Sequence, residues 1–377
     1  MKTWRVIVPM VVVASLGFAL GSQRLAVAQA QPKPMVLKFQ ASWGPAIRHF
    51  DGFNMIFVDR VAKLSGGRVK IEQSAAGAFV PAFEVLDATS KGVIDGAVTY
   101  APFWVGKHKA AILFGGAPGG PFGMDPFDFV GWLIDGGGLD LYQELYRDVL
   151  KYQVVAFPIM VQPPQVLGWF KRPIRDWNDL KGLKIRMSGI AADIYKEAGM
   201  AVVQLAPGEI LPAAERGVID AAEIQGGDPD LRLGFHQVWK YHYAPGMAEA
   251  NNVQELLINK PLWDKFEPGV QEIVKSAVME SLLRSAFFFK RIDAEAYVTL
   301  TGKHKVEVRR TPQDVLTKTL EVWDKMMERE AARDPFFKKV IESQRRYAAL
   351  IVPYRLSVWP PYELSGNHYW KKSVYLK

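Results

Sequence analysis

The sequence predicts an α/β fold built as two lobes, on three observations. After its first thirty residues the chain runs β-α-β with about thirty residues per unit, the spacing a sheet of parallel strands covered by helices requires. A fourteen-residue phrase occurs twice, EVLDATSKGVIDGA at 84–97 and EILPAAERGVIDAA at 209–222, with eight positions identical. The length, 377 residues, suits two domains of ordinary size.

Residues 1–30 are set apart from the fold. Lys2 and Arg5 precede an apolar run at 6–21, and small-x-small sites follow at Ala26-Val27-Ala28 and Ala28-Gln29-Ala30. This is the plan of a secretory signal peptide, which would leave a soluble protein outside the cytoplasm. An N-terminal membrane anchor is the alternative, but the run is short for a span and Pro9 interrupts it.

MVLKFQASW (35–43) reads as a strand, with Leu37, Phe39 and Ala41 alternating with Val36, Lys38 and Gln40. Residues 49–67 read as an amphipathic helix with Phe53, Ile56, Phe57, Val61 and Leu64 on one stripe, stopped by Gly66-Gly67. RVKIEQSA is the second strand. In each copy of the repeated phrase a helix, 84–91 or 209–216, ends at Gly92 or Gly217 with Lys91 or Arg216 in its last turn, where a cation suits the helix C-terminus. A short buried strand follows, VIDGAVTY or VIDAAEIQ, and a strand precedes each copy, VKIEQS or LKIRMS. The repeat therefore reads as two αβ lobes of similar plan, or as one large sheet with a recurrent helix-to-strand connection.

FGGAPGGPFGMDP (114–126) is a loop, and with neither a Gly-Lys-Ser/Thr nor a G-x-G-x-x-G it is no phosphate loop. Residues 154–170 read as a strand crossing to the second lobe, and ELLINK (255–260) as the return crossing. Residues 267–299 are helical, VEVRR (306–310) is a short strand, and a long helix begins with Thr311 as N-cap, Pro312 at its first position and Asp314 closing a capping box. Its stripe of Leu316, Leu320, Trp323 and Met327 is core packing or a docking face for another subunit. The boundaries so drawn are a signal peptide at 1–30, lobe 1 at 36–155 completed by parts of 251–300, lobe 2 at 156–250, and C-terminal helices and tail at 305–377.

Composition narrows the function. The apolar share of 49% and charged share of 23% are those of a globular protein. With no cysteine the chain has no disulfide, thiolate metal site or cysteine nucleophile. The net charge of +8 falls to +5 without Lys2, Arg5 and Arg24, a mild bias that fits an anionic ligand, and no basic run with interleaved aromatics points to nucleic acid. Six scattered histidines and the absence of a G-x-S-x-G elbow argue against an enzyme, and no catalytic cofactor is expected.

Three polar residues carry the binding chemistry. Arg186 lies at the carboxyl end of the strand GLKIRMSG, where a guanidinium can grip a carboxylate through two parallel hydrogen bonds; a surface arginine on an edge strand is the plainer reading. Glu223 follows the second copy of the phrase and precedes Gly226-Gly227; it can pair with Arg186, coordinate a cation or face solvent. Gln165, in PPQVLGWF, is an amide in an apolar setting that needs partners.

LKGLKIRMSGIAADIYKEAGMAVVQLAPGEILPAAERGVIDAAE resembles the core signature of the extracytoplasmic solute receptors of TRAP transporters, the DctP family. KGVIDGAVTY, FWVGKHKAAILF and GWFKRPI extend the resemblance, and DPFFKKVIESQRRYAAL is similar to the subgroup that binds 2-oxoacids and hydroxy acids. It implies a type II-like two-lobe periplasmic binding protein with hinge-crossing strands and long C-terminal helices. Such a protein captures a small carboxylate and delivers it to membrane permease subunits. The resemblance places the carboxylate clamp at Arg186. It places a bound Na+ or Ca2+ at Gln165, Glu223 and the Ile224 carbonyl, with Glu249 nearby as a further acid, and it offers Trp43, Phe103 and Trp104 as apolar walls. The subgroup usually has Trp where this chain has Ile224, a departure that bears on ligand identity. An ABC-type or sensor-linked receptor for another organic anion shares the two-lobe plan, and a homodimer through the C-terminal helix is compatible with either.

Overall fold

Five strands and then six build two separate sheets in the computed structural model, which describes residues 33–370. The expected export segment at 1–30 and the end of the tail lie outside the described residues. β1 (Met35–Ala41) buries Leu37, Phe39 and Ala41 and exposes Val36 and Lys38, as the alternation predicts, but it buries Gln40 as well. The following helical stretch is α1 (Arg48–Phe53) and α2 (Asp59–Leu64), joined by a π-helical turn at Asn54–Val58. It buries Phe53, Ile56, Phe57 and Val61, while Leu64 at its end is exposed. β2 (Val69–Ser74), α3 (Val85–Ser90) and β3 (Gly96–Thr99) complete a β-α-β-α-β unit in which β1 pairs in parallel with both β2 and β3. α4 (Pro126–Ile134) and α5 (Gly138–Glu144) lead into β4 (Val154–Gln162).

The second sheet opens with β5 (Gly168–Phe170). Then β6 (Lys184–Arg186), α6 (Gly189–Glu197), β7 (Ala201–Val203), α7 (Pro207–Glu215) and β8 (Ala221–Ala222) repeat the β-α-β-α-β unit. α8 (Gly227–Arg232) and β9 (Tyr241–Ala244) follow. The chain returns to the first sheet as β10 (Asn252–Asn259), then runs through α9 (Lys260–Trp263) into the 35-residue α10 (Pro268–Gly302). β11 (Glu307–Arg310) joins the second sheet, and α11 (Gln313–Arg333), α12 (Pro335–Val358) and α13 (Tyr362–Tyr369) finish the described chain.

The strand orders are β2-β1-β3-β10-β4 and β11-β9-β5-β8-β6-β7. The repeated phrase thus supplies the helix and third strand of each unit, and β2-β1-β3 corresponds to β7-β6-β8. Sequence reading matched VKIEQS with LKIRMS; in the fold the strand before the second copy is β7, and LKIRMS, as β6, is the counterpart of β1. The registers make the match residue by residue. Gln40 pairs with Ala97 and Arg186 with Ala222, and the two alanines hold the same place in the repeated phrase.

Several other expectations change. The sheets are mixed rather than parallel, because β10 runs antiparallel to β3 and β4 in the first and β5 antiparallel to β8 and β9 in the second. The crossing at 154–170 is two strands in two sheets, broken at Pro163-Pro164, where proline removes the ladder donors. ELLINK is no crossing: it belongs to β10, inside the first sheet, and the chain returns before it. Thr311 does not cap α11, whose N-cap is Pro312 with no side-chain hydrogen bond; Asp314 instead accepts from the Trp177 N–H, which ties the helix to the second lobe.

α10 spans both cores. Val270, Val274 and Val278 pack with Leu256 and Ile258 of the first sheet, and Leu300 packs with Trp169 and Val308 of the second and with Phe235 beside it. The stripe expected on α11 is internal packing, since Leu316, Trp323 and Met327 are buried. Among the described residues no helix is long and apolar enough to cross a membrane.

Candidate functional site

The carboxyl ends of β1 and β3 on one side, and of β6 and β8 on the other, line one cleft, where open αβ sheets place their ligands. Trp43, two residues past β1, and Tyr100 and Phe103, just past β3, form the first-lobe wall. Trp43 and Phe103 lie with ring centroids 6.4 Å apart, and Trp43 meets His49 edge-on at 5.1 Å. The second lobe contributes Arg186, Gln165, Ile224 and Gln225. The open space is about 50 Å³, room for a small molecule only.

Arg186 is 3% exposed, which removes the surface-arginine reading. Short β6 ends with it, and its guanidinium is anchored on backbone. Nε donates to the Leu205 carbonyl at 3.1 Å and Nη1 to the Glu223 carbonyl at 2.6 Å. The Glu223 N–H returns to the Arg186 carbonyl at 3.1 Å, so the ends of β6 and β8 are locked together. Two of five guanidinium donors are thereby used. Nη1 also stands 3.9 Å from Glu223 Oε2, too far for a hydrogen bond but close enough for attraction.

Glu223 is 2% exposed, and neither carboxylate oxygen has a hydrogen-bond partner among the described residues. Burial, together with the nearby Glu249, pushes its carboxyl well above the usual range, against the pull of Arg186. Glu249 is likewise buried. Its Oε2 accepts from the Tyr100 hydroxyl at 3.1 Å, while Oε1 has no partner. Burial raises its carboxyl to about 7, although Tyr100 and Arg186 pull it down. The Glu249 carbonyl accepts the Gln165 N–H at 3.1 Å, which sets Gln165 beside the acids. Gly189 is required here: its φ is +61°, and a Cβ would come 2.7 Å from Glu249 Oε1.

Two buried carboxylates against one guanidinium leave unbalanced negative charge when both ionise, and three of their four oxygens are open. That arrangement fits a hard cation taking oxygen ligands from Glu223 and Glu249, from the Gln165 amide and from the Ile224 carbonyl. Among the described residues no cluster of three or more His, Cys, Asp or Glu side chains fit to hold a metal occurs, so such an ion would need the neutral oxygens.

Of the expected residues, Arg186, Gln165, Ile224, Trp43 and Phe103 line the cleft, and Glu223 and Glu249 lie buried around Arg186. Trp104 does not line it. It is 1% exposed in the first-lobe core, and its Nε1 donates to Glu255 Oε1 at 2.6 Å. Ala101–Trp104 is a 3-10 turn, in which successive side chains diverge by about 120°, so Phe103 faces the cleft and Trp104 turns away. Sequence reading missed His49, Tyr100, Asn252 and Gln254, all on the cleft wall. The available signal was NNVQE, a polar run in front of the apolar LLIN of a fully buried strand.

The chain matches the family described as bacterial extracellular solute-binding protein, family 7 (DctP), over residues 43–333. A monocarboxylate 2-oxoacid-binding periplasmic protein of Nostoc sp. is 32% identical over 310 residues, which cover 82% of this chain and 83% of that one. A TRAP transporter solute-binding protein of Bordetella bronchiseptica superposes with a TM-score of 0.82 at 25% identity, over 90% of this chain and 98% of that one. It is a mixed-occupancy dimer, with copurified calcium and picolinate in one site and the other apo. A TRAP periplasmic solute-binding protein of Colwellia psychrerythraea, with bound calcium and pyruvate, gives 0.80 at 26% identity, over 90% and 99%.

Proposed function

Because the chain belongs to family 7 of the bacterial extracellular solute-binding proteins, the DctP family, we propose that it is the periplasmic receptor of a TRAP transporter for a small 2-oxo or 2-hydroxy monocarboxylate. The observation that carries the reading is a buried Arg186 beside a buried Glu223 whose two oxygens are open, at the mouths of both sheets.

Arg186 grips the ligand carboxylate with the donors left free by Leu205 and Glu223. Glu223, Glu249, Gln165 and the Ile224 carbonyl hold Na+ or Ca2+, which, when bound, neutralises the acids and offers open positions to ligand oxygens. Trp43 and Phe103 cover the apolar part. The lobes close by a hinge at the crossings on either side of β5 and β9, which excludes water and strengthens the Arg–carboxylate pair. The loaded protein then docks on the membrane permease.

The partner we assign to the C-terminal end is a second copy of the chain. α12 buries Phe336, Phe337, Val340 and Ile341 but then exposes Leu350 by 71% and Leu356 by 73%. Sedimentation velocity of the wild type and of Leu350→Ser/Leu356→Ser is expected to show a dimer and a monomer; a wild-type monomer at micromolar concentration contradicts this assignment.

The function is tested by calorimetric titration with 2-oxo, 2-hydroxy and dicarboxylic acids in sodium and in calcium. Micromolar binding, about −8 kcal/mol, of at least one monocarboxylate is expected. Binding of no carboxylate in either cation removes the reading.

A further inference from the structure

Three side chains of the cleft wall and the Pro163 carbonyl form a hydrogen-bond relay with a fixed direction. Gln225 Nε2 donates to the Pro163 carbonyl at 2.7 Å. Asn252 Nδ2 donates to Gln225 Oε1 at 3.1 Å, and Gln254 Nε2 donates to Asn252 Oδ1 at 2.8 Å. A backbone carbonyl only accepts, so Gln225 must present its nitrogen to Pro163 and its oxygen to Asn252. The same constraint passes along the chain and turns the nitrogen of Gln254 toward Asn252. The relay therefore ends in a free acceptor: Gln254 Oε1 is buried, has no partner among the described residues, and belongs to a residue 2% exposed on the cleft wall.

An unpaired buried acceptor carries a desolvation penalty that a ligand donor removes. His49 reinforces the point from the same wall. Gln162 neighbours it, although neither ring nitrogen makes a well-aligned hydrogen bond among the described residues; burial lowers its pKa to about 3 against the pull of Gln162, so it is a neutral imidazole able to give one hydrogen bond and take one. Arg186 is the only cation among the cleft-lining residues, and the ligand carboxylate already takes it. A second carboxylate would thus meet the Gln254 oxygen, a repulsion between acceptors, with no counter-charge left over from a cation that Glu223 and Glu249 already balance.

Resting on the receptor reading above, we propose that the preferred ligand carries, besides the carboxylate held by Arg186, a hydrogen-bond donor, a hydroxyl or N–H, accepted by Gln254 Oε1. Gln254 then sets specificity: it favours hydroxylated monocarboxylates over their unsubstituted counterparts and disfavours dicarboxylates. A site built to bond a ligand hydroxyl discriminates strongly against the analogue that lacks it, because its own polar group is left unpaired.

The test is titration of acids paired by one hydroxyl: lactate against propionate, glycerate against lactate, and 3-hydroxypyruvate against pyruvate. In at least one pair the wild type is expected to bind the hydroxylated member at least about tenfold more tightly. Gln254→Met should level that pair while changing the affinity for the other member by no more than about threefold. Equal affinities within every pair of the wild type, or a preference that survives in Gln254→Met, overturns the role of Gln254 and leaves the receptor reading intact. A wild type that binds no carboxylate overturns both.

Discussion

The two lobes place different residues at equivalent positions, and the contrast supports assigning the binding chemistry to the second. Gln40 on β1 and Arg186 on β6 face the same alanine of the repeated phrase. Gln40 spends its side chain on its own lobe: Nε2 donates to the Val80 carbonyl at 2.7 Å, and Oε1 accepts the N–H groups of Phe79 and Val80 at 2.8 and 3.1 Å. Arg186 fastens only part of its guanidinium to backbone and keeps the rest for the cleft. One step past each alanine, the first lobe has the buried apolar Val98 and the second the buried carboxylate Glu223. A shared scaffold position is therefore structural when its hydrogen bonds are satisfied within the lobe and functional when they are left open.

Exchanging the two characters is the sharpest way to break this comparison. Arg186→Gln, which writes the first-lobe residue into the second, removes one partner of a desolvated charge pair and should cost about 2–5 kcal/mol of carboxylate affinity with the fold intact by circular dichroism. Calorimetry that finds wild-type affinity in the folded variant would sink the role of Arg186. Gln40→Ala should do the opposite, losing about 1–2 kcal/mol of stability in urea unfolding because the part-buried Phe79 and Val80 backbone groups lose their partner, with ligand affinity much less affected.

Glu223→Val copies Val98 into the second lobe. Cation affinity is expected to fall at least about tenfold, or 1.4 kcal/mol. The cation-free protein should melt no lower than the wild type, since an unpartnered buried carboxylate facing Glu249 has gone. A large loss of stability without cation would make Glu223 structural. The smallest effect is with pH. The Glu249 carboxyl, raised from 4.5 to about 7, favours the folded state when protonated. Its contribution to cation-free stability is full below about pH 4.5 and is lost as pH rises through 7. The cation must displace that proton, so Glu249 alone should make its affinity rise by about tenfold per pH unit between pH 5 and 7, and Glu223, whose carboxyl burial also pushes well above the usual range, adds to the rise wherever it still holds a proton. Cation affinity that is flat over this range would remove Glu249 from the site.

The local pattern carried much of this in the sequence. The β1 alternation, the helix at 48–64 and the repeated phrase were legible because each depends on residues close in the chain. Arg186 and Glu223 stood out as charges at the ends of short apolar strands. What escaped depends on contacts distant in sequence. Gln254 and Asn252 carry no local mark of a buried site, and only the insertion of β10 between β3 and β4 buries them. Trp104 looks like a wall in the sequence because the turn that separates it from Phe103 has no sequence mark. Thr311 looked like a cap because the contact that holds the start of α11, from Trp177 to Asp314, spans 137 residues.

The central claim is that a cation held by Glu223 and its neighbours completes the carboxylate site built on Arg186. The most direct measurement is titration of the best-bound monocarboxylate into protein stripped of cations by chelation, and again after sodium or calcium is restored. The account predicts micromolar binding that is lost on stripping and returns with the ion. Binding of the same strength in the stripped protein would contradict it and leave Arg186 as the sole anchor of the ligand.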